Sequence, residues 1–599
     1  MRSSFFGLNT LLRALMAQQE ALDTTNHNIA NANTDGYSRQ VASMAATLPY
    51  TVPAMNHPPA SPLQVGTGVV VERIQRQRDA FVDLELRQQS QIQARWEALR
   101  AGLQQVEGVF TEPSDQGLQT LLTNFFNAWS ELSNNPQSSA ARATVRSSGD
   151  ALAAGFSDLA NRLEQIRRDV DGAIAAAVPE LNQLGAQLAA LNGQIARAVS
   201  TGDVPNDLRD KRDLLLDQIA KEVGATYHEE ANGTVTVLIG GHGFVIGDRV
   251  NAITTETRQL ASGTQLHLLK WQNDAQNVTV GDGTLAGQLA LRDQVLPEQL
   301  GQLDLLASTI VNAVNAQHRQ GFGIGAYASQ VTNFFDPMTA TQTLNMTGIG
   351  DQLVSGTITV GSQTLTISPT TQTFKDVMDA IANAIATQTG GTASWTIDAA
   401  TGHIVITQSS PTQVTLGANG DTSNFLQVTG LLGAVNAPSG GGRTITGLGP
   451  VALVRAASLQ LDQVIKNPDG LDAIAAAAGS SAGLAASAGP GDNRNALAIA
   501  ALARTSLSVL GNATFDDFYA STIAQLGVQS READQMAQNQ QLLTQHLQQR
   551  RESISGVSLD EEATQLIRYQ RAYQAAARGI TTLDDLLETV INHMGRAGL

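Results

Sequence analysis

The sequence predicts a multidomain α+β protein: an α-helical stem built from both termini, with β-rich outer domains. Three observations carry this expectation. Both ends repeat apolar residues every seven positions, as coiled-coil-like helices do. A central run from Leu152 to Ile195 keeps apolar spacings of three and four throughout, which marks a long bundle helix. Two internal stretches switch to alternation punctuated by Asn-Gly and Gly-Ser turns, which is strand patterning.

The N-terminal stripe is Leu8, Leu15, Leu22 and Ile29, widened by Phe5, Leu11 and Leu12. Its seam asks for a partner helix, either the other terminus or a neighbouring subunit. The helix should end near Asn31. The run Asn31-Ala32-Asn33-Thr34-Asp35-Gly36-Tyr37 is rich in turn formers, and Asp35-Gly36 suits positive φ. Pro49, Pro53, Pro58, Pro59 and Pro62 then forbid a continuous helix, so residues 40–65 read as an exposed loop that reaches a neighbour. Helical character returns over 72–105. The run from Leu152 to Ile195 implies a helix roughly 65 Å long at ~1.5 Å per residue, and so an elongated subunit. Pro179 is placed to kink it.

Asn232-Gly233 separates Ala225–Glu230 from the alternating Val235, Val237 and Ile239, a hairpin signal that makes 225–290 β-rich. Leu296–Gln317 returns to helix. Within 326–455, Gly361-Ser362 joins two strand-like runs, Phe374, Val377, Met378, Ile381 and Ile385 mark one helix, and Trp395, Ile397, Ile404 and Ile406 mark further strands. This reads as an autonomous outer α/β module. Gly440-Gly441-Gly442 and the small-residue stretch Ala473–Gly491 read as linkers. From Asn495 the chain is helical almost to its end. The last stripe is Leu559, Leu566, Tyr573, Ile580, Leu587 and Met594. Ser558 and Glu561 form a Ser-x-x-Glu capping box at its start.

The expected division follows. Residues 1–65 are an N-terminal axial helix and extended loop, and 66–224 the N-terminal part of the stem. Residues 225–295 are a β-rich domain, 296–325 a helix returning to the stem, and 326–455 the inserted module. Residues 456–554 are the C-terminal part of the stem, and 555–599 the C-terminal axial helix.

Composition narrows the function classes. A chain of 599 residues suits about four domains at ~150 residues each. Only 4% of residues are aromatic, which favours long helices and thin, polar-faced packing over one large aromatic-rich core. A net charge of −17 repels phosphate backbones, so nucleic acid is not an expected partner. With no cysteine there are no disulfides, thiolate metal sites or Cys nucleophiles. No apolar segment is long enough for membrane insertion. Asn9, Thr10 and Arg13 break up the apolar N-terminus, so it reads as part of the mature protein and not as a secretory signal.

Catalytic signatures are weak. Gly479-Ser480-Ser481-Ala482-Gly483 fits the G-x-S-x-G pattern, but a nucleophile elbow needs a strand before the serine and a helix after it, and Ser481 sits in a small-residue linker. Gly321-Phe322-Gly323-Ile324-Gly325 follows a helix, so it reads as a helix stop and not a dinucleotide loop. Gly240-Gly241-His242-Gly243 reads as a turn. The nine histidines lack metal-ligand spacing. His27 reads as a polar helix-end residue, and His318 as one that satisfies carbonyls at a helix end. No catalytic residue, metal or cofactor is expected.

Several segments carry a resemblance. Asn28-Ile29-Ala30-Asn31-Ala32-Asn33-Thr34-Asp35-Gly36-Tyr37-Ser38-Arg39-Gln40 resembles the N-terminal signature of bacterial flagellar axial proteins, the rod, hook and hook-associated class. Asp35 stands where members often have proline. Ser555–Glu562 with Leu566–Arg578, Asp492–Leu497, Asn315–Phe322 and the hairpin at Asn232–Val237 are similar to the hook-associated branch. The likeness covers about 1–325 and 450–599, and leaves 326–455 less diagnostic. It implies a structural protein on the distal end of the hook, joining hook to filament and needed for filament assembly. The implied assembly interface is the pair of axial helices, at Leu8, Leu15, Leu22, Ile29, Leu559, Leu566, Tyr573, Ile580 and Leu587. Asn28, Asn31, Asn33, Thr34, Gly36 and Tyr37 form the signature turn. Implied partners are further copies of the chain, the hook protein and a second hook-associated junction protein. A cytoplasmic chaperone would hold the C-terminal region before export through the flagellar type III channel to the outside of the cell. Alternatives are another axial protein of the hook or rod, or an axial stem carrying a secreted adhesin or enzyme at 326–455.

Overall fold

The computed structural model describes every residue except 1–4, 52–63, 111–113, 115–116, 261–263, 337–342, 348, 398–402, 433–436, 440–441, 451–453, 480–486 and 595–599. The chain opens with α1 (Phe6–Ala30), then an antiparallel ribbon of β1 (Gln40–Ala46) and β4 (Val69–Arg76), extended by β2 (Tyr50–Thr51) and β3 (Gln64–Val65). The span 40–65 is therefore not a free loop where it is described. Val69-Val70-Val71 are β-branched and favour strand, so the next helix starts at Ala80 and not at 72. Pro53, Pro58, Pro59 and Pro62 lie outside the described residues.

Four helices follow: α2 (Ala80–Phe110), α3 (Leu118–Asn134), α4 (Ser139–Ser200) and α5 (Asn206–Val223). The longest is α4, with 62 residues and a length of about 93 Å. It starts where Ser138 Oγ accepts the Ala141 N–H at 3.2 Å, and it carries Pro179 inside. Its buried face serves two cores. The first half packs Val145, Leu152, Phe156 and Leu163 into the stem, and the second packs Ile174, Leu181, Leu188 and Ile195 against a β domain. Glycines let rings press on its backbone: a Cβ at Gly149 would sit 2.7 Å from the Phe334 ring, and one at Gly185 2.6 Å from the Phe244 ring.

The β domain contains β5 (Ala225–Glu229), β6 (Val235–Ile239), β7 (His242–Ile246) and β8 (Arg249–Val250) in one antiparallel sheet. A second sheet pairs β9 (Ile253–Gln259) with β10 (Gln265–Trp271). Asn232-Gly233 and Gly240-Gly241 lie between successive paired strands. The chain returns through α6 (Thr284–Ala290), a π-helical turn (Leu291–Val295) and α7 (Leu296–His318). The π turn delivers Arg292 to Asp171 of α4 at 2.7 Å and to the His267 carbonyl at 2.8 Å, pinning the β domain to α4.

The short β11 (Gly321–Phe322) crosses the stem. The outer module contains β12 (Gly356–Val360), β13 (Gln363–Ile367), α8 (Phe374–Thr389), β14 (Ala393–Ile397), β15 (His403–Gln408), β16 (Leu416–Asp421), α9 (Phe425–Val428), β17 (Ala437–Ser439) and β18 (Gly442–Pro450). Its sheets run β13-β12-β16 and β14-β15-β18-β17, and α8 packs on strands of both around a separate core. Phe334, Phe335 and Val454, inside the span assigned to this module, belong instead to the stem core.

The stem closes with α10 (Gln463–Lys466), β19 (Ala477–Ala478), α11 (Arg494–Ala501), α12 (Phe515–Ser555) and α13 (Leu559–Met594). The stretch from Ala473 reads differently in three dimensions. Ala473, Ile474, Ala475, Ala476 and Ala477 are buried, and β19 pairs with β11. Small side chains there mark a backbone crossing a close-packed interior, not a linker. Phe125, Phe126, Trp129, Phe334 and Phe335 form one cage in the stem, with Phe334 and Phe335 centroids 5.0 Å apart and Trp129 5.3 Å from Phe334.

Candidate functional site

The two terminal helices form an antiparallel pair. A Cβ at Gly7 would lie 3.3 Å from Leu583, one at Gly579 3.0 Å from Leu11, and Asn28 Nδ2 donates to Glu562 Oε2 at 3.0 Å. These three meetings keep one register along the pair. Glycine at positions 7 and 579 lets the helices approach closely. Leu8, Leu15, Leu22, Ile29, Leu566, Tyr573, Ile580 and Leu587 are partly buried, and Leu559 is exposed. The ribbon covers another face of α1: Arg13 Nη1 donates to the Thr67 carbonyl at 3.3 Å, and Gln18 reaches Met44 Sδ.

Where this coil meets the stem, the signature turn is a hub. Asn28 is buried and uses both ends of its amide. Oδ1 accepts from Tyr37 Oη at 2.8 Å and from the Gln40 N–H at 2.9 Å, while Nδ2 donates to the Gln40 carbonyl and to Glu562. That is its full donor and acceptor capacity apart from weak extras. Asn31 Nδ2 donates to the His27 carbonyl at 3.0 Å, and Thr34 Oγ1 donates to Asn31 Oδ1 at 3.2 Å. Gly36 has φ +76°, and a Cβ there would lie 3.2 Å from Leu214, so glycine meets both the conformation and the space. Asn33 and Thr34 are exposed.

The next three residues tie the turn to both neighbours. Ser38 donates its N–H and hydroxyl to Asp210 of α5 at 2.9 and 2.8 Å. Arg39 Nε donates to Glu562 Oε1 at 2.7 Å and Nη1 to Glu561 Oε2 at 2.8 Å. Gln40 Nε2 donates to Asp207 at 2.7 Å. Glu561 therefore spends its carboxylate on Arg39. Only the Ser558 half of the anticipated capping box has a contact, a long one of 3.4 Å from the Glu561 N–H. His27 faces Asp207 at 3.3 Å and is part of this joint.

Behind the turn lies an ion network. Arg76 Nη1 donates to Asp210 at 2.8 Å and Asp213 at 2.9 Å, and Arg78 reaches Asp213 at 2.7 Å and Asp83 at 2.8 Å. Arg212 adds Asp213 and Glu229. Asp217 bridges Arg87 of α2 and Arg551 of α12. Burial alone would push the Asp213 pKa up. The guanidiniums of Arg212, Arg78, Arg76 and Arg87 outweigh it and hold the value at about 2. Burial, with Asp207, Asp210 and Glu562 around it, pushes the Tyr37 phenol up, so it stays a donor to Asn28. An open cleft of about 470 Å³ lies between the turn, α5 and the last turn of α12.

The sequence reading missed the α5 partners. Asp207, Asp210, Asp213 and Asp217 recur at three and four, one acidic helix face with Arg76 and Arg78 near by, and that spacing was the available signal. Other motif residues do similar backbone work in the stem. Asn315 Oδ1 accepts from the Phe334 and Phe335 N–H groups, and Asn495 Nδ2 donates to the Ala475 carbonyl at 2.6 Å. His318 does not cap a helix end. Nδ1 lies 2.8 Å from the Thr332 carbonyl and Nε2 accepts the Ala475 N–H at 3.0 Å, which makes it a buried neutral strap. Burial lowers its pKa to about 4. Ser481 lies outside the described residues. Among the described residues no three His, Asp or Glu side chains are grouped to hold a metal ion, and no helix is long and apolar enough to cross a membrane.

Comparison with known proteins gives consistent matches. A model of the flagellar hook-associated protein FlgK helical domain matches residues 103–335. Models of the flagellar basal body rod FlgEFG protein C-terminus and of the flagella basal body rod protein match 548–593 and 8–37, the two halves of the coil and joint. The chain is 27% identical to flagellar hook-associated protein 1 of Bacillus subtilis, over 100% of both chains. It is also 27% identical to its namesake in Escherichia coli, over 98% of this chain and 99% of that one. The flagellar hook junction protein FlgK from Burkholderia pseudomallei has a similar fold, with TM-score 0.52 at 18% identity, covering 79% of this chain and 100% of that one.

Proposed function

We infer the function from one premise: the chain belongs to the flagellar hook-associated protein 1 family. It is a structural protein of the bacterial flagellum, one that self-assembles at the junction of hook and filament and is needed for filament growth. The observation that carries this is the end-to-end match with hook-associated relatives, with both rod-type segments meeting in one coil and joint. The joint suits a part that holds shape and performs no reaction. Its acids and bases are matched to one another and to backbone groups, leaving a fixed angle between coil and stem.

The finer reading is ours. The chain adds to the distal end of the hook beneath a second junction protein. It leaves the cell through the flagellar export channel, held until then by a chaperone on α13. The axial helices form the inner wall, the stem surrounds them, and the β domain and outer module face outward. No catalytic role is assigned to any residue.

Deleting the gene tests this. Hooks seen by electron microscopy without filaments, with flagellin released to the medium, are the expected result. Missing hooks would indicate a rod or hook component. Normal filaments and swimming would overturn the junction role.

A further inference from the structure

We propose that the cavity where the stem, the β domain and the neck of the outer module meet binds a small organic monocarboxylate, one carboxylate carried on a short apolar body. The cavity holds about 360 Å³, within the range of sites that enclose small molecules, and such sites favour seams between domains. Glu164 and Arg167 of α4 line it, with Arg258 of β9 and Leu266 of β10. Arg292 of the π turn and Leu300 and Asp304 of α7 add a third wall. Gln352 and Arg455 belong to the neck, one just before the first strand of the outer module and one just after its last. The neck is fastened at this place. The Ala456 N–H donates to Asp304 Oδ1 at 2.7 Å, Ser157 Oγ donates to the Ala457 carbonyl at 2.9 Å, and Arg455 Nε donates to the Thr347 carbonyl at 2.9 Å. These bonds hold the walls and leave the space between them open.

The lining is of two kinds. Leu260 and Leu266 are buried and Leu268, Pro297 and Leu300 half-buried, which gives an apolar surface. The rest is charged, and most of that charge is matched. Arg292 is spent on Asp293, through Nε and Nη2 at 2.8 Å each, and on Asp171 at 2.7 Å. Arg167 is buried beside Glu164 at 3.5 Å. Arg258 is exposed, and alone of the four lining arginines it forms no hydrogen bond or ion pair with another described residue. Its planar guanidinium offers paired N–H donors at the spacing of the two carboxylate oxygens. One unmatched cation selects a monoanion, because a phosphate dianion would bring a second charge with nothing to meet it. The leucines ask for carbon behind the carboxylate, since an inorganic ion would leave them wetted. A ligand with its head on Arg258 and its tail on Leu266 and Leu300 touches β domain and stem together. The site needs no neighbouring subunit, so this inference stands independently of the assembly reading.

Hexanoate is the probe, titrated by calorimetry into the purified full chain at about pH 7, where its carboxyl is ionised. One saturable site per chain is expected. Hydrogen exchange with hexanoate present should slow at 264–268 of the β domain and at 297–304 of α7. Acetate, which lacks the apolar body, and hexanamide, which lacks the charge, should each bind at least tenfold more weakly. Arg258→Gln removes the cation without breaking a bond of the fold. It should leave thermal unfolding of the free chain unchanged and weaken hexanoate at least tenfold. Absence of saturable binding overturns the proposal, and so does equal affinity in the Arg258→Gln chain. Hexanamide binding as tightly as hexanoate, or inorganic phosphate binding more tightly, overturns it as well.

Discussion

The stem core around Phe334 and the joint around Asn28 both bury their central residues, yet they are held by opposite chemistry. In the stem, aromatic rings meet edge to face and lean on a glycine of α4, so the fit is one of volume. In the joint, almost every contact is a charge-assisted or amide hydrogen bond between segments far apart in sequence. Volume packing stabilises strongly but tolerates small rotations. A saturated polar hub adds less net stability, because each bond replaces one to water, but it permits one geometry only.

The comparison breaks most sharply at Phe334. Replacing it with Ala empties the centre of the cage and should cost about 4 kcal/mol, read as a lower urea midpoint for the stem. Acid should come next and separate the two regions. His318 is neutral in the fold, with a pKa near 4 against 6.5 unfolded. The unfolded chain therefore takes up a proton first. Stem stability should fall as pH drops from about 6.5 to about 4, by about 3 kcal/mol in all, and then level off. Asp213 titrates lower still. Its stabilisation is complete above about pH 4 and is lost as pH falls towards 2. Hydrogen exchange at pH 5 should thus show α7 loosened while the joint stays protected, and equal loosening of both would refute the distinction.

Asn28→Ala should have a smaller effect on stability, about 2 kcal/mol, through the unpaired Gln40 backbone and Glu562. Its larger consequence should be on geometry. Small-angle scattering should show a wider spread of coil–stem angles with helix content unchanged, and an unaltered profile would mean the hub does not set the angle. The smallest effect is expected at the solvent-exposed Lys375–Asp379 pair of the outer module, where Lys375→Ala should leave thermal unfolding unchanged.

Much of this was legible because it is local. The heptads of α1 and α13, the end of α1 at the Asn-rich turn, the spacing of α4 and the hairpins at Asn232-Gly233 and Gly361-Ser362 all depend on residues within a few positions of one another. What escaped was long-range. The β1–β4 ribbon pairs strands on either side of a proline-rich span, so those prolines read as a loop. Ala473–Ala477 looked like a linker because small residues suit both a mobile chain and a crowded crossing, and only burial tells them apart. Asp210 and Asp213 looked like a solvated helix face until Ser38, Arg76 and Arg78 closed over them.

By itself the sequence determined the periodicities, the turns and the family-bearing motifs, since backbone preference and apolar spacing act over one or two helical turns. Tertiary structure alone decided what each seam faces. Leu8, Leu12, Leu15 and Met16 are equally apolar on paper. The antiparallel partner and the ribbon partly cover Leu8 and Leu15 and leave Leu12 and Met16 exposed, because a helix in a two-helix pair has more faces than its neighbours cover.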